Sequence, residues 1–490
     1  MTATDSGSKY LAPLAVLTTL FFMWGFITCL NDILIPRLKS VFDLNYAQAM
    51  LIQLAFFTAY FIMSLPSGSV VNRLGYKNGI IIGLVTAGVG CLLFYPAASG
   101  QSYGMFLLAL FVLASGITLL QVAANPFVAI LGKPETASSR LTMTQALNSL
   151  GTTIAPIFGS LLILSGEPVK AADELKRLAP AALEAYRVAE ASSVQGPYVG
   201  LAIALVLLAV AIGFFKLPKL GELHVKVPAV TYVPVVLGAL GLFRFIRQSV
   251  GVQTEAEATW NRNVFVTLMA VLFVGSLVIA YVQLPKIGEA SEDGPARGGR
   301  RACVLGALGI FFYVGAEVAI GSFLVNYFKE PAIGALSEAQ GAFYVSLYWG
   351  GAMVGRFIGS AITLRRYRPS RVLMGHAIVA AGLVLITMAT SGVVAMGAII
   401  AVGLFNSIMF PTIFTMGIDG LGKHTGKGSG LLCMAIVGGA LIPVIQGSLA
   451  DRIGIHHCFI IPVVCYLFIA WYGMSETSPV RPAAVAAPSV

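Results

Sequence analysis

The sequence is short of charge. Only 11% of its 490 residues are Asp, Glu, Lys or Arg, against 57% apolar, and the mean hydropathy is +0.86. Such a balance lies far outside that of ordinary globular domains and excludes water as the main solvent of the fold. Cysteine is sparse: Cys29, Cys91, Cys303, Cys433, Cys458 and Cys465 are scattered in or beside apolar runs and form no CxxC pair. Neither a disulfide framework nor a zinc site is expected from that spacing. The five histidines, His224, His376, His424, His456 and His457, make no nucleophile–base or metal constellation at the middle of an apolar run, which argues against a membrane-embedded enzyme. No GxxxxGKS-type phosphate loop occurs, so ATP does not drive this polypeptide directly and no cofactor is expected.

What the chain does have is apolar runs of spanning length. They fall at about residues 11–36, 47–71, 79–96, 104–131, 141–164 and 198–217, and again at 302–328, 340–363, 372–391, 393–418, 429–449 and 457–474. Each is long enough to cross a hydrocarbon core of roughly 30 Å as a helix, giving an all-α membrane protein with twelve principal spans. The first run is too long for a cleaved signal, lacks a small-residue cleavage site and carries Asn31 and Asp32 near its end, so it is read as a retained helix.

Charge in the short loops sets the orientation. Arg73 and Lys77, Lys133 and Arg140, Arg365, Arg366, Arg368 and Arg371, and Lys423 and Lys427 follow alternate spans, while the intervening loops are poorer in cations. Both termini are therefore placed in the cytoplasm. These charges account for most of the net +10; being spread over separate loops, they form no single basic face, and nucleic acid is not an expected partner.

The centre is less regular. Lys216, Lys219 and Lys226 open a linker and Lys286, Arg297, Arg300 and Arg301 close it, with two apolar segments between them, VPAVTYVPVVLGALGLF and VFVTLMAVLFVGSLVIAYVQL. Cations at both ends allow zero crossings or two. The reading adopted is an inserted hydrophobic hairpin within 228–284, dividing the chain into a first half (1–218), a central linker (219–300) and a second half (301–490). The polar stretch 166–196, with DELKRLAPAALEAYRVAE, reads as a short external helix whose mixed charges mark a solvated face.

A repeat shows through the divergence. GSVVNRLGYKNG follows the second span and GRFIGSAITLRRYRPSR the eighth, both glycines feeding a basic turn. Asn125-Pro126 is followed by GTTIAP, from Gly151 to Pro156, and Phe410-Pro411 by GGALIP, from Gly438 to Pro443. Two six-helix halves in parallel repeat are the pattern of a rocking transporter with its site at the midplane.

One residue in the stretch FYVGAEVAIGSFLVNYF stands against its surroundings. Glu317 lies about 21 Å from the inner and 16 Å from the outer end of its helix, at 1.5 Å per residue. A carboxylate at the bilayer centre costs about 2.5–3.5 kcal/mol on insertion scales, so it must face something polar. Either it serves the transported species, or it is a structural acid paired with a base such as Arg356. Because Arg356 is placed near the cytoplasmic end of its span, the functional reading is preferred.

GSVVNRLGYKNG resembles the signature loop of the major facilitator superfamily, with Asn72 where Asp is usual; that substitution implies a weaker interhelical charge contact. NDILIP, QVAANPF, QALNSLG, GAEVAIGSFLVNY and FPTIFTMGIDGLG together resemble the fucose permease branch, which includes bacterial glucose/galactose and N-acetylglucosamine transporters. The resemblance implies the major facilitator fold and a bacterial inner-membrane location. It also implies a proton-coupling role for Asp32 of the ND pair, with Asn31 beside it in the substrate-binding set, and sugar-cavity roles for Gln145 and Asn148. Where fucose permeases carry a partner Glu before AANPF, this chain has Gln121. That departure, with the form of the Glu317 segment, is more similar to the glucose/galactose branch.

Helix geometry is compatible with those roles. Gln121 lies roughly 15 Å from the basic-loop end of its helix and Asn148 about 13 Å from the start of the next, at matching depth. Gln145 and Asn148 share a face, as do Gln121 and Asn125. Amides suit sugar hydroxyls, since each offers donors and an acceptor and does not titrate. They equally suit helix-to-helix glue, an alternative weightiest for Asn125, beside a proline that frees backbone groups. Asp32, roughly 27 Å along its helix from Leu14, is by depth alone as consistent with an interfacial carboxylate. Trp24 and Trp349 are read as membrane packing. The sequence thus points to secondary active uptake of a neutral monosaccharide, glucose or galactose first, by symport with a proton or sodium ion in a monomer within a lipid bilayer. The alternatives are fucose or N-acetylglucosamine symport, an exporter of amphipathic drugs, or a channel.

Overall fold

The computed structural model describes residues 13–28, 46–162, 179, 182, 185–186, 188, 195–215, 228–249, 255–284 and 299–475. Asn31, Asp32 and most of the stretch 166–196 lie outside them. The helices are α1 Pro13–Thr28, α2 Tyr46–Ser99, α3 Tyr103–Ile130, α4 Ala137–Leu162, α5 Gln195–Phe214, α6 Val233–Ser249, α7 Glu255–Gln283, α8 Gly299–Lys329, α9 Glu338–Ile358, α10 Pro369–Ala389, α11 Gly392–Asn406, α12 Met409–Ile418, α13 Thr425–Met434, α14 Gly438–Ile453 and α15 Ile460–Ser475. No strand occurs among the described residues. In lipid, helices satisfy every backbone group internally, and an open sheet edge does not. All twelve expected runs fall on helix, the first, fifth and sixth only over their described parts.

Local chemistry sets several ends. Ser337 and Gln340 cap α9 reciprocally, the Gln340 amide N–H donating to the Ser337 hydroxyl (3.3 Å) and the Ser337 N–H to Gln340 Oε1 (3.0 Å). Pro369 opens α10 at a position that needs no N–H. The second and third spans, expected as separate helices, form the single element α2, broken at Gly75 with φ +80°. That left-handed geometry suits glycine, so a whole turn is compressed into one residue.

The repeat has a structural counterpart. On Gly151 a Cβ would collide with the Phe22 carbonyl of α1, and on Gly438 with the Phe311 carbonyl of α8. Each half thus crosses its first span against its fifth at backbone contact through the glycine of the matching motif. The prolines correspond as well. A proline has no N–H for the carbonyl four residues earlier, so Pro126 frees the carbonyl of Val122 and Pro411 that of Ser407. Both are taken by side chains: Ser429 donates to Val122 O (2.9 Å) and Arg356 Nε to Ser407 O (3.2 Å).

The halves meet in a seam at the ends that carry the basic loops. Ser138 and Thr415 share a hydroxyl hydrogen bond of 2.6 Å, and Ser139 donates to the Ser360 carbonyl over 2.6 Å. Gly68 of α2 lies against the backbone of Gly426 in α13, and Asn72 is buried against the same glycine. Small residues let these backbones touch. Within the linker, α6 and α7 pack on one another through Phe245 and Phe265, stacked at 4.9 Å. Gly238 of α6 lies under the Phe61 ring of the first half, while Phe273 of α7 stacks on Phe311 of the second at 4.8 Å.

Candidate functional site

Glu317 is the centre of a polar cluster inside the second half. Its carboxylate accepts from Tyr313 OH, one helical turn earlier, at 2.7 Å. Its backbone carbonyl accepts from Tyr348 OH of α9 at 3.3 Å. Tyr348 accepts in turn from Asn406 Nδ2 (2.8 Å), and Tyr466 of α15 donates to Asn406 Oδ1 (2.7 Å). All four partners are buried. Tyr313 holds the carboxylate directly, and Tyr348, Asn406 and Tyr466 brace it from behind in a largely covered shell, where each hydrogen bond is worth more than in water. Trp349 packs edge-on against Tyr348 at 5.1 Å, and Trp24 lies tilted against Phe21 at 5.3 Å.

Arg356 completes the cluster, and this corrects the sequence reading. Its Nη2 lies 3.9 Å from Glu317 Oε1, with both side chains largely covered. The pairing set aside on depth is therefore present. The reason is helix length: α9 does not end at Ile358 but continues through a π-turn at Gly359–Thr363 into Leu364–Arg366. The guanidinium consequently sits about ten residues, roughly 15 Å, inside the basic end. Its second arm reaches the Ser407 carbonyl freed by Pro411. Its third, Nη1, donates to Ser149 Oγ of α4, in the other half. Ser149 donates onward to the Gln145 carbonyl (3.1 Å) and neighbours Asn148. The acid of one half and the amide-bearing helix of the other are joined through one guanidinium.

The amides of the first half are only partly engaged by the protein. Gln121 Nε2 donates to Tyr60 OH at 2.7 Å, but its Oε1 has no protein partner. Both amide atoms of Asn125 and the Nε2 of Gln145 are likewise buried and unpaired. Asn148 Nδ2 donates to the Phe21 carbonyl of α1 at 2.9 Å, which is the helix-joining role. No hydrogen bond among the described residues links Gln121, Asn125, Gln145 and Asn148 to one another. Buried amide atoms without partners are costly and rare, and a ligand bearing several hydroxyls would satisfy them. A separate crevice, lined by Leu65, Ser69, Thr231, Gln283 and Lys427, lies between the linker helices and the seam, away from these amides.

Among the described residues no group of three or more His, Cys, Asp or Glu is placed to hold a metal. Sequence reasoning missed Tyr60, Tyr313, Tyr348, Asn406, Tyr466 and Ser149. The tyrosines read as apolar filling; only Asn406, a lone amide two residues before IMFP, offered a signal.

Residues 15–436 match the Major Facilitator Superfamily. Over 473 residues, 96% of each chain, the sequence is 50% identical to a glucose/galactose transporter of Brucella abortus. It is 34% identical over 472 residues to an L-fucose-proton symporter of Escherichia coli, covering 95% of this chain and 93% of the relative. A crystal structure of the transporter FucP in the outward conformation superposes with a TM-score of 0.77 at 31% identity, covering 96% of this chain and all of the other.

Proposed function

Because the chain belongs to the major facilitator superfamily, and is a multi-pass membrane transporter and not an enzyme, we propose that it imports a neutral monosaccharide, glucose or galactose, by cation-coupled symport. The observation that carries the substrate is its 50% identity to a glucose/galactose transporter over 96% of both lengths. The unpaired amide atoms of Gln121, Asn125 and Gln145 supply a chemistry that fits. Fucose is the weaker reading, since the fucose symporter is the more distant relative and Gln121 stands at the position of its branch's Glu. N-acetylglucosamine symport, drug export and a channel have no observation in their favour.

The sugar-binding set is Gln121, Asn125, Gln145, Asn148 and Asn31, with Glu317 at its edge; Glu317 and Asp32 are the coupling acids. Asn31 and Asp32 rest on the ND motif alone. No cofactor is needed, and the coupling ion is a proton or sodium. The protein acts as a monomer in a bacterial inner membrane with both termini in the cytoplasm, as its loop charges favour. On that orientation the seam closes the cytoplasmic side. Its working parts are residues 1–218 and 301–490, joined by 219–300, whose two apolar helices cross the bilayer as a hairpin.

An ionised acid facing a cavity resists the closure that strips its water, and a bound cation permits that closure by neutralising it. Sugar then binds best to the cation-loaded carrier, and the two affinities are reciprocal. The test is uptake in proteoliposomes, with sugars competed against one another and proton and sodium gradients imposed separately. Glucose and galactose should compete for a saturable, gradient-driven uptake. Uptake that neither gradient accelerates, or that neither sugar competes, overturns the proposal.

A further inference from the structure

Arg356 is the one described group that touches the candidate coupling acid, the proline break of α11–α12 and the opposite half at once. A guanidinium in so covered a place is tolerated when a carboxylate offsets its charge and its nitrogens find partners. Here Nη2 faces Glu317, Nε donates to the Ser407 carbonyl and Nη1 to Ser149, and the last partner holds only while the seam is shut, because Ser149 belongs to the other half. Removing the charge on Glu317 leaves the guanidinium without its counter-ion. Hydration is then its remaining remedy, and water reaches it from the basic end only if the seam opens.

We propose that Arg356 transmits the charge state of Glu317 to the seam: ionised, the acid holds the halves shut on the basic-loop side, and neutralised, it lets Arg356 release Ser149 and that side open. This rests on Glu317 being a coupling acid. The other titratable groups facing the pair are Tyr313, Tyr348 and Tyr466, from α8, α9 and α15. All three are phenols that remain neutral at physiological pH. Sequence supplies the remaining parts. Pro411 provides the acceptor that anchors Arg356 in its own half, and the π-turn beginning at Gly359 lies just beyond it, against Thr142 of α4. π-turns inside helices occur frequently at functional sites.

The test places a cysteine at Thr142, buried in the seam with its hydroxyl unpaired. Its labelling by an impermeant maleimide is followed from the basic-loop side in oriented vesicles, against the parent protein as background. Four backgrounds are compared: unaltered, Glu317→Gln, Arg356→Gln, and both together, each with sugar accumulation and sugar exchange measured. Glu317→Gln should raise the labelling rate about tenfold, because a covered guanidinium has lost its partner. Adding Arg356→Gln removes the uncompensated charge but also the bond to Ser149, so labelling should fall back to the level of Ser149→Ala, a partial reversal that general loosening of the fold would not give. Ser149→Ala, which leaves the ion pair in place, should raise labelling by a smaller factor and serves if the Arg356 variant does not fold. Accumulation lost in Glu317→Gln with labelling unchanged overturns the transmission while leaving Glu317 as a coupling acid. A rise that Arg356→Gln fails to reverse also overturns it. Normal accumulation by Glu317→Gln removes the coupling reading, and this inference with it.

Discussion

Glu317 is the residue at which the proposed coupling is most directly tested. Substituting Gln keeps its shape and its bond from Tyr313 but fixes it in the neutral form. Glu317→Gln should therefore abolish gradient-driven accumulation while sugar exchange, in which the unloaded carrier need not return, continues. Exchange and sugar binding both lost from a well-folded variant would make Glu317 a direct sugar ligand instead. Asp32→Asn should behave in the same way if the ND motif carries coupling, and be nearly silent if that acid is interfacial. For the amides, Gln121→Ala and Asn148→Ala should weaken sugar affinity by about 2- to 12-fold, the worth of one neutral hydrogen bond, measured by equilibrium binding. Each also loses one protein hydrogen bond, Gln121 to Tyr60 OH and Asn148 to the Phe21 carbonyl, so both should lower thermal stability modestly. Unchanged binding in both variants would return these amides to the role of helix glue. The depth and isolation of Glu317 were legible in the sequence, because a carboxylate amid twenty apolar neighbours needs no structure to be conspicuous. Its partner was misread. Whether Arg356 is deep or shallow depends on a π-turn that carries α9 on to Arg366, and no residue pattern announces that turn.

At the level of elements, glycines and prolines position the site. Alanine at Gly438 would drive a methyl into the Phe311 carbonyl, whereas at Gly375, on α10, it meets nothing within 4 Å. Gly438→Ala should lower the unfolding temperature in detergent, with a cost of about 1–3 kcal/mol for overpacking. Gly375→Ala should leave it equal or higher, since alanine favours helix by up to about 1 kcal/mol. Equal losses from both would mean that the α8–α14 crossing is not the reason for the glycine. Pro411→Ala makes the opposite exchange. It restores an N–H for the Ser407 carbonyl, competing with Arg356 Nε, so thermal stability should hold or rise while accumulation falls. The helices themselves, and the pairing of Asn125-Pro126 with Phe410-Pro411, could be read from hydropathy and spacing. What the prolines do could not, because a freed carbonyl acquires meaning only when a donor from another element arrives.

For the whole molecule, the described polar contacts between halves lie along one seam. A Ser138→Cys/Thr415→Cys pair replaces two hydroxyls already 2.6 Å apart and should form a disulfide under mild oxidation. Uptake should stop on oxidation and return on reduction; undiminished uptake by the cross-linked protein would show that the seam need not part. The two freed carbonyls add something that the cross-link does not test. A true two-fold axis would present each proline's acceptor to the same kind of donor. Here Val122 O is taken by Ser429 of the opposite half, while Ser407 O is taken by Arg356 of its own. The chain repeats its architecture but not its chemistry: the same freed carbonyl meets a hydroxyl from the opposite half in one repeat and a guanidinium from its own half in the other. When the halves part, Val122 O must exchange its donor for water while Ser407 O keeps its own: one proline break is mended from within its half, the other from across the divide.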